Sequence, residues 1–249
     1  MTKKQKNLVK ASIAFSLIFA VVPVANAMHI MEGYLSIQFC IAWGVVSLPF
    51  LVAGIFSIQK RVKENRKSLT LLAMAGAFIF VISSLKIPSV TGSCSHMTGT
   101  GLGAILFGPA AVSVLGIIVL LFQAILLAHG GLTSLGANTF SMAIAGPLLS
   151  YAIFKLCQKI KVDRKISVFL AAALGDIFTY CVTSIQLGLA YPAESGGALA
   201  STAKFLGVFA PTQLPLAILE GIVTVLIVMA LESYAKPELK SVGYLKGVN

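Results

Sequence analysis

Long apolar runs separated by short polar clusters dominate the chain. Beyond residue 27 they lie near 35–57, 68–87, 100–128, 137–158, 167–189 and 212–233. Each is long enough for a helix to cross a bilayer, which takes roughly 20 apolar residues. Basic residues gather between the runs in three places: Lys60, Arg61, Lys63, Arg66 and Lys67; Lys155, Lys159, Lys161, Arg164 and Lys165; Lys236, Lys240 and Lys246. Cytoplasmic loops collect Lys and Arg, so all three clusters are expected inside. Six passes from an external N-terminus would strand the second and third clusters outside. A seventh passage removes the conflict, and Gly108-Pro109 marks where it belongs. A short segment near 98–108 would precede a full helix at 110–128, a break that a membrane tolerates only where protein surrounds it. The uncharged loop 129–136 and the sparsely charged loop 190–211 then fall outside, and the C-terminus inside. The predicted fold is an all-α, multi-pass membrane protein of seven crossings.

The first apolar run differs in kind. Lys3, Lys4, Lys6 and Lys10 precede apolar residues 11–22, and Pro23 precedes Ala25-Asn26-Ala27. This is the charged, apolar, small-x-small order of a secretory signal peptide. An uncleaved anchor would need a longer run and no such triplet. Residues 1–27 are therefore expected to be removed, leaving one transmembrane domain over 28–249 that begins Met28-His29-Ile30-Met31-Glu32-Gly33 outside the cytoplasm.

Composition supports a membrane chain and narrows its chemistry. Of the 249 residues 57% are apolar and 11% charged, with mean hydropathy +0.94. Soluble domains carry about 25% charged residues, so an ordinary cytosolic enzyme is excluded. The net charge of +11 could suggest nucleic acid, but 17 of the 19 basic residues fall in four short blocks, which is a topology signal. No G-x-x-x-x-G-K-[ST] loop occurs, so the chain is not expected to hydrolyse ATP; energy must come from a gradient or a partner.

A terminus freed at Met28 would be a chelator. Its amine and the His29 amide nitrogen close a five-membered ring on a metal, and that amide with the His29 Nδ1 closes a six-membered one. Three nitrogens from two residues leave one in-plane position. The amine and amide must lose protons, so binding should weaken in acid. Only His96 and His129 remain. His96 lies in Gly92-Ser93-Cys94-Ser95-His96-Met97-Thr98-Gly99-Thr100-Gly101, a segment of small polar residues able to fold over the terminus, and is the chosen fourth ligand. His129 ends a helix on the same outer side; it is placed, with Ser95 and Thr98, beside the ligands in a supporting role, with direct ligation by His129 as the alternative. Cys157 and Cys181 read as packing residues. Cys94 offers either a sulfur ligand or a disulfide with Cys40. Asp176 and Glu220 sit inside apolar helices, where a carboxylate is either functional or a buried, hydrogen-bonded structural acid.

Met28-His29-Ile30-Met31-Glu32-Gly33-Tyr34-Leu35, Lys86-Ile87-Pro88-Ser89-Val90-Thr91-Gly92-Ser93-Cys94-Ser95-His96 and Thr98-Gly99-Thr100-Gly101-Leu102-Gly103 resemble the CbiM family, the cobalt-specific capture (S) components of energy-coupling factor (ECF) transporters. His129-Gly130-Gly131-Leu132-Thr133 and Gly136-Ala137-Asn138-Thr139-Phe140-Ser141-Met142 extend the likeness over most of the chain after residue 27. The resemblance implies a six-helix S-component core plus one extra N-terminal helix. It also implies metal ligation by the Met28 amine, the His29 amide and ring, and His96, near square-planar. Implied partners are a transmembrane coupling (T) subunit, two ATPase subunits and a small auxiliary membrane subunit. Ala73 and Ala77 in Ala73-Met74-Ala75-Gly76-Ala77 resemble the small-residue face that meets the T subunit. The expected function is Co2+ import for cobalamin synthesis across the bacterial inner membrane, without catalytic activity. Planar nitrogen sites suit Ni(II) or Cu(II) as well, so the rival is a nickel-specific relative. Rivals of other classes are a self-sufficient divalent-metal carrier using Asp176 and Glu220, and a membrane metalloenzyme.

Overall fold

A computed structural model describes residues 29–88 and 94–244; the expected leader over 1–27 and Met28 lie outside the described residues. The helices are α1 (Ile37–Glu64), α2 (Lys67–Ser84), α3 (Thr100–Phe107), α4 (Pro109–Leu127), α5 (Leu135–Lys159), α6 (Arg164–Ala190), α7 (Gly197–Tyr234) and α8 (Lys236–Ser241). Six of them, all but α3 and α8, are long and apolar enough to cross a membrane. Among the described residues, the strand content is a two-residue antiparallel ladder pairing Ile87 with Ser95 and Pro88 with Cys94.

The break expected at 108–109 is where α3 gives way to α4. Gly108 takes φ +81°, open to glycine at no steric cost, and Pro109 begins α4, where its missing N–H has no helical partner anyway. All eight residues of α3 are buried. At 1.5 Å per residue α3 rises only about 12 Å, too little to span alone.

Two boundaries differ from expectation. Residues 190–211 are not a loop, because α7 starts at Gly197 and carries Pro211 and Pro215 inside its 38 residues. Each proline forfeits one helical N–H bond, Pro211 to the Gly207 carbonyl and Pro215 to the Pro211 carbonyl, a loss that a membrane helix tolerates where protein surrounds it. Helix α1 runs past residue 57 to Glu64, with Arg61 and Lys63 in its last turn, where cations complement the helix dipole.

The first two basic clusters and, of the third, Lys236 and Lys240 sit at one end of the bundle, while Lys246 lies outside the described residues. There Arg61 Nη2 donates to the Phe107 carbonyl at 2.8 Å, Arg164 pairs with Glu232 at 2.6 Å, and the Tyr244 hydroxyl donates to Glu232. His29, Tyr34 and Tyr191 mark the opposite end, where the Tyr191 hydroxyl donates to the Tyr34 carbonyl. Between the ends, α5 and α6 approach closely: a Cβ added at Gly146 would lie 2.1 Å from Thr179 Oγ1, and one at Gly175 1.8 Å from Ser150 Oγ. Small residues at such crossings let dispersion and hydrogen bonds hold helices together in lipid. Peripheral α1 exposes Ile37, Ile41, Val45, Leu48, Val52 and Phe56, a helical stripe suited to acyl chains.

Candidate metal centre

Three histidines from distant parts of the chain converge at the end opposite the basic clusters. His29 precedes α1, His96 follows the short ladder, and His129 lies just beyond α4, where Ala128 turns into the left-handed region at φ +46°. All are buried. His29 Nδ1 lies 2.9 Å from His96 Nε2 and 3.0 Å from His129 Nε2. One ligand atom from each falls within 4.8 Å of the others, the only such His/Cys/Asp/Glu group among the described residues. The His29 and His96 rings stack at 14°, and His129 stands at 90° and 86° to them.

The remaining ring nitrogens face outward from this meeting point. His96 Nδ1 lies 2.9 Å from the Met97 carbonyl, which assigns it the proton and leaves the Nε2 lone pair facing inward. His29 Nε2 lies 3.2 Å from Met142 Sδ, a weak acceptor, and so carries the proton while Nδ1 faces inward. Burial holds all three imidazoles neutral: His96 falls to about 4 and His129 to about 2, both through desolvation, which neighbouring charges reinforce at His129. His29 is lowered by the same burial and by His129 and His96. Neutral imidazoles with converging lone pairs are what a cation requires and what an apolar pocket has no other use for.

The segment that delivers His29 is clamped. Ile30 N donates to Asn138 Oδ1 at 2.8 Å and Asn138 Nδ2 donates back to the Ile30 carbonyl at 2.9 Å. The Ser134 hydroxyl donates to the same carbonyl, and Thr133 N donates to the Glu32 carboxylate at 3.1 Å. Gly131 permits this approach, since an added Cβ there would lie 2.4 Å from Glu32 Cα. Asn138 begins a stretch in which α5 turns to π-helix over Thr139–Ala145, bringing Met142 under His29. Asn138 and Met142 carried no signal of their own in one sequence: a lone Asn reads as a helix start and a lone Met as packing.

Glu220 accepts from Thr98 Oγ1 at 2.8 Å and Gly99 N at 3.0 Å, and also from Thr98 N. Asp176 Oδ2 accepts from Gln213 Nε2 at 2.6 Å, and Gln213 Nε2 also reaches the His96 carbonyl at 3.2 Å. Both acids therefore fasten the His96 segment. Ser95 pairs with the Thr212 hydroxyl at 2.8 Å, so Ser95 and Thr98 anchor the backbone beside His96 and do not touch the imidazoles. Cys40 is a free thiol whose Sγ donates to the Leu35 carbonyl, and the side chain of Cys94 lies outside what the structure describes. Ala73 and Ala77 lie elsewhere, lining with Gly76 an apolar groove of about 650 Å³ along α2 and α4.

Residues 29–239 match the family described as the cobalt uptake substrate-specific transmembrane region, CbiM. The chain belongs to the CbiM family. It is 68% identical over 247 residues to the cobalt transport protein CbiM of Lachnoclostridium phytofermentans, covering 99% of each chain. It is 56% identical to that of Clostridium cellulovorans, covering 98% of this chain and 94% of the relative. A crystal structure of a truncated transition metal transporter superposes with TM-score 0.71 at 28% identity, covering 83% of this chain and 99% of the other. CbiM is a membrane transporter component and not an enzyme, which agrees with the expectation from sequence.

Proposed function

We propose that this member of the CbiM family is the S component of an ECF-type importer in the bacterial inner membrane, capturing Co2+ for cobalamin synthesis. The ion is its cargo. Cleavage after Ala27 frees the Met28 amine, and that amine, the His29 amide and Nδ1, and His96 Nε2 form the binding plane. The observation that carries this reading is the 2.9 Å separation of two buried, neutral nitrogens on His29 and His96. The small-x-small signature before Met28 supports the cut, as does a family match that starts at residue 29.

The chain makes seven passages in this reading. Residues 96–107 form the third, running from His96 at the metal end to Phe107 beside Arg61 at the basic end. The basic end faces the cytoplasm by the positive-inside rule, leaving the metal centre and the new N-terminus outside and the C-terminus inside. The T subunit docks on the groove lined by Ala73 and Ala77, two ATPase subunits supply energy, and a small auxiliary membrane subunit completes the complex.

Intact mass of the purified protein under native conditions tests the core of this: loss of residues 1–27 together with one bound Co2+ is expected. Inserting one residue between Ala27 and Met28, with the cut preserved, moves the imidazole to third place, changes the ring sizes and should destroy tight binding; unaltered affinity overturns the chelate. The sign with pH follows from the donors. Burial already holds the imidazoles neutral, so the protons released on binding come from the amine and amide, and affinity rises with pH until the amine is fully deprotonated. Competition at matched pH separates the ions, and a clear Ni2+ preference refutes the cobalt assignment.

A further inference from the structure

We propose that His129 Nε2 binds the captured ion perpendicular to the four-nitrogen plane, making the site five-coordinate and tilting it from nickel toward cobalt. This rests on the chelate reading above and extends it to a residue that the sequence had placed in a supporting role.

The geometry follows from counting edges. Metal–nitrogen bonds of about 2.0 Å at right angles hold neighbouring donors about 2.8 Å apart. His29 Nδ1 has two neighbours at nearly that separation, His96 Nε2 at 2.9 Å and His129 Nε2 at 3.0 Å. Within the chelate plane, Nδ1 has only two adjacent corners. The His29 amide nitrogen takes one and His96 takes the other, because the Met28 amine is forced opposite Nδ1. A third nitrogen adjacent to Nδ1 must therefore stand above or below the plane. The His129 ring, at 90° to His29 and 86° to His96, is turned accordingly.

Proton arithmetic supports ligation over mere packing. With His96 Nδ1 committed to the Met97 carbonyl and His29 Nε2 to Met142, two lone pairs face each other at 2.9 Å. One proton on His129 Nε2 satisfies only one of them, while His129 Nδ1 is buried without a hydrogen-bond partner in either case. A cation at the meeting point satisfies all three inward nitrogens at once. A strictly planar set favours Ni(II) or Cu(II). A perpendicular fifth nitrogen adds nothing for planar Ni(II) and strengthens binding of Co(II), which supplies the preference that the plane lacks.

Co(II) and Ni(II) titrations and metal-edge X-ray absorption on the processed full chain test this, comparing wild type with His129→Ala and the bulkier His129→Gln. Wild type should show five nitrogens about Co(II) and each variant four. Co(II) affinity should fall about tenfold or more, while Ni(II) affinity changes by less than about threefold, the retained Ni(II) binding also reporting an intact fold. An unchanged nitrogen count, or equal losses for both metals, overturns the inference. Retained Ni(II) binding in His96→Ala with loss in His129→Ala would exchange the two roles and equally overturn it. If wild type itself keeps its leader and shows no ionised amide nitrogen at the metal, the capture reading has failed, an outcome separable from failure at His129.

Discussion

Two buried polar clusters meet along His96-Met97-Thr98, and they are completed in opposite ways. Around Glu220 the protein supplies the donors itself: two backbone N–H groups and a hydroxyl converge on one carboxylate. Around His29, outward contacts turn the Nδ1 lone pair and that of His96 Nε2 toward each other across 2.9 Å, an acceptor facing an acceptor. Both are buried, and both sit near the same turn of chain. Burial of polar groups thus does not mark a functional site in this membrane interior. The mark is a set of donor atoms that the protein leaves for something else to satisfy.

The largest expected effect separates these clusters by exchanging their failures. His29→Ala and His96→Ala should each weaken Co2+ binding by about 1,000-fold or more, roughly 4 kcal/mol. Thermal stability without metal should fall much less than in Glu220→Ala, because each change, while removing an outward contact to Met142 or to the Met97 carbonyl, also removes one of the two lone pairs that face each other. Glu220→Ala should do the reverse first: three buried donors lose their acceptor at about 1–3 kcal/mol each, so the melting temperature should collapse before binding can be judged. Titration calorimetry and thermal unfolding, run on all three variants, check the contrast. A Glu220→Ala protein as stable as wild type but unable to hold Co2+ would move that carboxylate from scaffold to site and erase the distinction.

Next in size is the clamp on the N-terminal segment. Asn138→Ala removes both contacts that Asn138 makes with Ile30, stranding its N–H and leaving its carbonyl to Ser134, so more of the ordering of His29 falls to the ion itself. Outer contacts of this kind are worth about 10- to 100-fold in metal affinity. A loss of under about twofold in a Co2+ titration would show that Ser134 and the Glu32–Thr133 contact hold the segment unaided.

The sequence made the scaffold legible where physics is local. Runs of apolar residues located the six long helices, Gly108-Pro109 located the break between α3 and α4, and the charge clusters are together at one end. It misplaced the start of α7 because the sparsely charged residues 190–211 read as an outer loop, whereas the helix begins at Gly197 and carries Pro211 and Pro215 within it, tolerable in a membrane where protein surrounds the freed backbone. At the metal end, His29 and His96 were legible from ring-size chemistry and the scarcity of histidine. The Asn138 clamp and the hydrogen bonds by which Glu220 holds the His96 segment were not. Each depends on residues about 100 positions apart meeting, a fact that periodicity does not encode.

The smallest expected effect concerns Met142, whose Sδ lies 3.2 Å from His29 Nε2. A thioether is a weak acceptor, and contacts of this type contribute about 0.3–1.5 kcal/mol. Met142→Leu nearly conserves volume and leaves the N–H without a partner, so Co2+ affinity should drop only about two- to fivefold. The ring is held on its other side by the Ile30 clamp, which caps the loss. Met142→Gln offers a stronger oxygen acceptor at the same place, makes the His29 ring more basic at Nδ1, and should restore or exceed wild-type affinity. If Leu and Gln both bind Co2+ as wild type does, the sulfur serves only to fill space, and the outward nitrogen of His29 plays no part in aiming the inward one.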